Sequence, residues 1–478
     1  MIDAPVQKTI SLSGNVRHVD ISNDGGFALA TYPQGYAIII GDEVVHRKGT
    51  ITRARIIREK ESFVVAENHS LLFFNNHGAL LWRNNYDSKI IDFSFTSSEG
   101  LVLLENGDVV ALSNFKIELW KITVPGAKRV IIDPTGRNFA VITDKEINFY
   151  TFNNHNLQWN EGFMDNIHHV YLNRGSTRIA VSLVTGDFYL LSKSGKTMLE
   201  YKFKKPPVVV LDRYGNVIVG EENYVKIMNE RGTVLKKIEF SGMCNELKVG
   251  YRSDYSVCGT SSGMVYFFDR SGVLWQHHHN EPIGAVNMSD SGDYVIAANS
   301  EVIIFNNLSY YVSVIRDMQK KIAAVPAKDP RREKLSNIIR KMKGAYLKRD
   351  FKLLLNLANA FDSLYTAIER NTVKFALILA DSFSVDTVSK CQLYVATNER
   401  VSLKVYGDVK YGVRVVQRVP GKTVISILLQ PKHSGKLSVR IDVFAGAKKI
   451  SIPVTIFADG ILRKKRVISN TDFRRLIS

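Results

Sequence analysis

Over most of the chain, apolar and polar residues alternate with a period of two. The alternating runs are about four to eight residues long and are cut by Gly, Asp, Asn and Ser. Runs such as "YAIII" and "EVIIF" have the length of strands. After Asn307 the period lengthens toward 3.6. From about Thr372 it returns to two. The pattern therefore predicts strands, then helices, then strands.

The first block repeats itself. One recurring element is a polar turn followed by a short apolar strand: "NNHGALLW" (75–82), "NFKIELW" (114–120), "NHNLQW" (154–159), "SKSGKTMLEY" (192–201), "NERGTVLKK" (229–237) and "DRSGVLW" (269–275). A second is a strand, a Ser/Asp/Gly turn and a strand rich in small residues. Examples are "VDISNDGGFALAT" (19–31), "VIIDPTGRNFAVIT" (130–143), "VYLNRGSTRIAVS" (170–182), "VVLDRYGNVIVG" (209–220) and "VNMSDSGDYVIAAN" (286–299). A third strand ("LLFF", "INFY", "MVYFF") lies between the two. Each unit has four short strands in about 38 residues, a spacing that marks a β-propeller. Units begin near Val16, Thr52, Lys89, Lys128, His168, Pro207, Asn245 and Gly284, which makes eight. The last unit shows only three strands. "VQKTISLS" (6–13) is available as the fourth, so the N-terminal strand is expected to close the ring and remove the open edge.

The units resemble WD40-like and quinoprotein-like (PQQ-like) propeller repeats over roughly residues 5–308. "DRSGVLW" and "NNHGALLW" are similar to the D-x-x-G-x-x-x-W corner of quinoprotein-type blades. "ISNDGGFALAT" and "MSDSGDYVIAA" are similar to the S-x-D-G-x-x-x-A corner of WD40-type blades. The resemblance implies a fold far more than a function, because propellers host many activities.

Residues 309–371 are expected to form a helical segment. Ser309 is a candidate N-cap for the first helix, Asp329 with Pro330 for the second, and Asp350 for a third. Leu335, Ile338, Ile339, Met342 and Tyr346 form one apolar stripe. Leu354, Leu357, Phe361, Leu364, Tyr365 and Ile368 form another. The helices are expected to pack as a small bundle or hairpin, or directly on the propeller. Residues 372–460 carry about seven strands with turns at "PG", "HSG" and "AGAKK", which reads as an antiparallel β-sandwich. The stretch "PGKTVISILLQPKHSGKLSVRIDVFAG" resembles immunoglobulin-like domains, although the Cys…Trp…Cys pattern of true immunoglobulin domains is absent. The fold class expected is thus mainly β: an eight-bladed propeller (1–308), helices (309–371), a sandwich (372–460) and a basic tail (461–478).

Charge changes the picture for the last third only. The chain has a formal net charge of +18. Residues 316–352 hold thirteen Lys and Arg against four Asp and Glu, and the tail holds six against one. Most of the excess is therefore in helices and tail, and the propeller is near neutral. Clustered cations suit an anionic partner. The candidate contact residues are Arg331, Arg332, Arg340, Lys341, Lys343, Lys348 and Arg349 in the helices, and Arg463, Lys464, Lys465 and Arg466 in the tail. No helix-turn-helix, zinc finger or RNP motif accompanies them, so any contact with nucleic acid would run through phosphates and weaken with salt.

Catalytic signals are missing. There is no GxSxG elbow, Walker loop, HExxH or GxGxxG opening a helix. The Ser-containing "GTSSGMVYFF" (259–268) matches a blade turn. Quinoprotein chemistry needs a calcium site with a carboxylate and a cysteine pair, and that constellation is absent. Cys244, Cys258 and Cys391 form no CxxC; the first two are placed to touch on neighbouring strands. The triplet His277–His278–His279 follows Trp275, a residue matched by Trp82, Trp120 and Trp159. His277 and His279 share a strand face, but no third metal ligand is near in sequence, so the triplet is expected to be an exposed rim. His168–His169 starts another inner strand. No signal peptide or membrane span is visible, which points to the cytoplasm. The function expected is a non-catalytic scaffold that needs no cofactor, docks protein partners on its loops, and uses the basic helices against an acidic partner. The alternatives are a nucleic-acid-associated protein and an enzyme with a site in the propeller channel.

Overall fold

The computed structural model describes residues 2–12, 14–57, 62–113, 116–325, 330–371, 374–380, 382–385, 387–397, 400–419, 422–445, 448–458, 460–461 and 467–469. Candidate cap Asp329 and tail residues Arg463–Arg466 lie outside them. The chain divides into two compact units, Met1–Lys321 with Ile339–Leu357, and Ile322–Ile338 with Ala358–Ser478. Residues of the helical stretch are found in both units.

In the first unit, the described residues form eight sheets, and sheets 1 to 7 are each built on four antiparallel strands consecutive in sequence. Sheets 1 to 7 span residues 18–48, 51–85, 90–123, 129–162, 167–202, 208–239 and 244–278. Sheet 8 combines strands from 285–306 with Val6–Ser11, whose Ile10 pairs with Val302. Ile2–Asp3 adds a parallel fifth strand to sheet 7, beside Trp275 and Gln276. The second strand of each sheet is buried almost throughout, as in "FALATY", and so is the third strand of most sheets, as in "GYAIII". Fourth strands such as "LLWRNN" are largely exposed. A strand buried on both faces reads as a continuous apolar run, which explains why the middle strands lose the alternation.

Two hairpin corners share one chemistry. Asn75 Oδ1 accepts hydrogen bonds from the backbone N–H groups of His77 and Ala79, and Asn229 Oδ1 does the same for Arg231 and Thr233. The glycine inside each turn is left-handed, with φ of 77° at Gly78 and 80° at Gly232. A side chain there would be strained, so Gly is required. A bulge then sets Trp82 opposite Phe73, with the rings stacked 4.2 Å apart. Trp159 on Phe149 and Trp275 on Phe267 repeat the pair. Trp120 differs: the residue opposite it is Ala111, and the ring stacks on Phe139 of sheet 4 instead.

Adjacent sheets are joined by polar groups on their first strands. Asp20 Oδ2 accepts from Ile56 N–H, Asp92 Oδ2 from Val130 N–H, and Glu246 Oε2 from Val286 N–H, each at 3.0 Å. Arg129 donates to the His168 carbonyl at 2.9 Å, and Ser182 Oγ to that of Pro207 at 3.2 Å. Cys244 N–H reaches the Glu221 carbonyl. Sheet 8 meets sheet 1 through Asn287 Nδ2, which donates to Asp20 Oδ1, and through the Asn23–Asp290 pair. Asp20 and Asp92 are buried carboxylates that these bonds compensate.

Helix α1 (Asn307–Ala324) leaves sheet 8 directly. Its cap is Asn306, whose Oδ1 accepts from Ser309 N–H at 2.9 Å. Ser309, the expected cap, already lies inside the helix, because the strand runs into it without a loop. Asn307 accepts from Trp275 Nε1–H at 2.8 Å and donates to the Gly292 carbonyl. Helices α2 (Pro330–Leu347) and α3 (Phe351–Asn371) meet at a corner seated on the propeller. Asp350 caps α3 through Leu353 N–H. Phe351 is buried against Tyr255, Phe267 and Tyr311. The Tyr255 hydroxyl donates to the Arg349 carbonyl and accepts from Phe351 N–H, both at 2.9 Å.

In the second unit, two five-stranded sheets share one apolar core that includes Leu393, Ile427, Ile441 and Val454. The sheets are not purely antiparallel, since Phe383 bridges Ala458 in parallel. Val467–Ser469, expected to belong to a tail, pairs with Ala376–Ile378 at a sheet edge.

Replacing Tyr255 by Phe leaves the buried Phe351 N–H without an acceptor. The variant is expected to lose about 1–3 kcal/mol. Urea unfolding reads the loss, and faster amide exchange at Phe351 locates it.

Candidate functional site on the propeller

The first strands of neighbouring sheets bring charged and polar side chains together at matching positions. His18, Arg53, Asp92, Arg129, His169 and Glu246 occupy equivalent positions in sheets 1, 2, 3, 4, 5 and 7, judged from their pairing with the second strands. They feel one another across the sheets. Burial lowers the His18 pKa, with Glu246, Arg53, Lys248 and Arg55 all close enough to act on it. Most of these charges are engaged: Arg53 pairs with Asp92, and Lys248 pairs with Glu246 at 2.7 Å. His169 is the exception. It is half-buried, and its buried Nδ1 has no hydrogen-bond partner. Burial holds its pKa down to about 3, and Lys248, Arg129 and His168 add to the effect. It is therefore neutral at physiological pH. Among the described residues, no group of three or more His, Cys, Asp or Glu is placed to hold a metal ion.

A cavity of about 640 Å³ opens beside these strands, within the range of small-ligand and side-chain pockets. Its walls are the connection from sheet 5 to sheet 6 (Phe203–Pro207), the turn Glu221–Asn223 and the connection Met243–Asn245. Lys226 projects from the second wall into an aromatic surround. Its Nζ lies 5.1 Å from the Tyr224 ring centre and 5.7 Å from those of Tyr201 and Phe203. Glu221 Oε1 is 2.8 Å away, and Tyr224 O–H donates to Glu221 Oε2 at 2.6 Å. Burial alone would lower the Lys226 pKa, but Glu221 outweighs it and holds the ammonium above its ordinary range. Aromatic faces plus one carboxylate are the chemistry that holds an organic cation. Lys205 pairs with Glu222 at the rim.

Cys244 lines this cavity and touches Cys258 on the next strand. Both thiols are free and buried. Burial and the Cys244 contact push the Cys258 pKa up, so Cys258 is not set up as a reactive thiolate. The turn inside "GTSSG" joins two blade strands, with Gly263 at φ 79°.

The histidine triplet departs from the exposed rim expected of it. Only His278 is exposed. His277 packs edge-on against Phe305. His279 Nε2 lies 3.0 Å from Glu301 Oε2, while its Nδ1 takes Asn299 Nδ2–H at 2.7 Å and the Glu281 N–H. Glu301, in turn, accepts from Ser11 Oγ on the N-terminal strand. The partner of His279 is therefore 22 residues away in sequence, where spacing gave no sign of it.

Of the basic candidates, Arg340, Lys341, Lys343 and Lys348 are exposed, and Arg331 and Arg332 are half-buried. Arg349 is a structural residue. It adopts φ 53°, its carbonyl takes the Tyr255 hydroxyl, and its Nε lies 3.4 Å from Asp293 Oδ2.

No family model matches the chain, and no curated protein matches it. Solved structures do. The C-terminal WD40 domain of Sif2 superposes with a TM-score of 0.53 at 11% identity, covering 64% of this chain and 99% of that one. The Dos1 propeller gives 0.54 at 12%, covering 63% and 95%. Sqt1 from Chaetomium thermophilum gives 0.53 at 8%, covering 64% and 100%. At such identities the likeness shows the fold: the chain is mainly β and carries a WD40-like β-propeller.

A histidine whose folded pKa is lowered contributes stability that is complete above its unfolded pKa of about 6.5 and is lost as pH falls toward the folded value. His169→Gln is therefore expected to flatten the decline of unfolding free energy between about pH 6.5 and pH 4. Urea titrations of both proteins across that window read the difference; identical pH slopes would refute the assignment.

Proposed function

We propose that residues 2–306 form one closed eight-bladed ring, sealed by Val6–Ser11, and that this ring is a non-catalytic scaffold for protein partners. The observation that carries the reading is how the central polar groups are used. Asp20, Asp92, Arg53, Arg129, Glu246 and Asn287 are engaged in joining one sheet to the next. What is left open is a recess between connecting loops, of a size for an anchoring side chain and lined by aromatic rings. This favours recognition by shape and hydrogen bonding over chemistry at the centre.

The basic helices add long-range attraction to an acidic surface on the partner, which raises the encounter rate more than the final affinity. Arg331, Arg332, Arg340, Lys341, Lys343 and Lys348 carry this role, with Arg463, Lys464, Lys465 and Arg466 in the tail. Arg349 is assigned instead to holding the helix corner. The C-terminal sandwich is read as an immunoglobulin-like spacer that displays the basic tail. Three buried thiols with no disulfide among them fit a reducing compartment, and we place the protein in the cytoplasm.

Affinity capture from native extract, with and without nuclease, tests the reading. The expected result is a defined protein set that survives nuclease and is lost on charge reversal of Arg332, Arg340, Lys341 and Lys343, while the melting temperature is unchanged. Loss of the set on nuclease treatment would transfer the basic residues to phosphate binding.

A further inference from the structure

We propose that the edge strand Val409–Val419 of the C-terminal sandwich receives an extended segment of a partner protein in which acidic and apolar residues alternate. Among the described residues, this strand has a single neighbour in its sheet, Lys422–Pro431. Its outer row of N–H and C=O groups is therefore a template for another strand.

The side chains say what kind of strand. Tyr411, Val413 and Val415 lie opposite Leu429, Ile427 and Ile425, and cross-strand partners point to the same face. The latter three are fully buried in the sandwich core, yet Tyr411, Val413 and Val415 are 48%, 42% and 47% exposed. The core face of the sheet thus continues past its covered part as an open apolar strip. The other face of the same run carries Lys410, Gly412 and Arg414. A bulge between Val415 and Gln417 ends the regular register, so the usable edge is Val409–Val415.

Residues 409–431 include Lys410, Arg414, Arg418 and Lys422 and no Asp or Glu. A second copy is a poor occupant. Antiparallel self-pairing about Arg414 would set Arg414 against its own copy and Lys410 against Arg418 of the second copy, and like charges directly opposite destabilise a ladder. An incoming strand with carboxylates on the Lys410–Arg414 face and Val or Thr on the Tyr411–Val415 face satisfies both. The fourth strands of sheets 1 to 6 are exposed edges too, but they are six or seven residues long and four of the six mix charges of either sign, as in "TMLEYK" and "VLKKIE". Among the edge strands of the described residues, only Val409–Val419 is long, apolar on one face and of one charge sign. The chain itself uses strand addition at another edge, where Ile2–Asp3 lies along Gly272–His278.

The test is titration of the full chain with a labelled peptide of about eight residues alternating Glu with Val or Thr. Two controls are a peptide of the same composition in scrambled order and one with Lys in place of Glu. The expected result is saturable binding of the alternating acidic peptide alone, with slowed amide exchange at 410–415. Arg414→Glu should weaken it by about tenfold or more and confer binding of the Lys peptide. Equal binding of the scrambled peptide, protection elsewhere, or an unchanged affinity in Arg414→Glu would overturn the proposal. So would a concentration-dependent dimer that Val413→Pro abolishes, which would give the edge to a second copy.

Discussion

A four-stranded sheet that is apolar on both faces cannot stand alone in water. In this protein the second strand of every propeller sheet, and the third strand of sheets 1, 2, 3, 7 and 8, is buried on both sides, so such a sheet needs cover on both faces. That requirement organises the rest. It calls for small residues in "FALATY" and "RIAVSL", where neighbours approach, and for carboxylates at Asp20 and Asp92 that reach the backbone of the next sheet. It also leaves the last sheet in need of a strand from the start of the chain.

The same requirement decides where chemistry can be. Polar side chains of the first strands are engaged in joining sheets, and His169 is kept neutral by its surroundings. The helix corner is held by Tyr255, whose hydroxyl donates to the Arg349 carbonyl, while the Arg349 side chain stays exposed. The surfaces proposed for partners are the connecting loops with their aromatic recess, the exposed cations of α2, and the sandwich edge that has no second neighbour among the described residues. All three suit recognition.

Local chemistry made much of this legible. Turn glycines with an Asn or Asp three residues earlier marked the corners, because the side chain and the left-handed backbone act within five residues. Pro330 and Asp350 marked two helix starts for the same reason. What was not legible depends on residues far apart. Asn306 replaced Ser309 as the cap because a strand of sheet 8 runs straight into the helix. The role of His279 rests on Glu301 and Asn299. The seat of Phe351 rests on Tyr255, 96 residues away, and nothing in either local pattern announces it. The cavity around Lys226 joins three loops whose shared position only the packing of sheets 5, 6 and 7 creates.

Removal of residues 2–11 tests the central claim, that the eight sheets form one ring sealed by the N-terminal strand, most directly. The truncated protein is expected to lose cooperative unfolding, to expose the strand Glu301–Asn306 and to self-associate, and to recover its melting transition when a peptide spanning Val6–Ser11 is added in excess. A truncated protein that stays monomeric and melts at the same temperature with the same steepness would contradict the account.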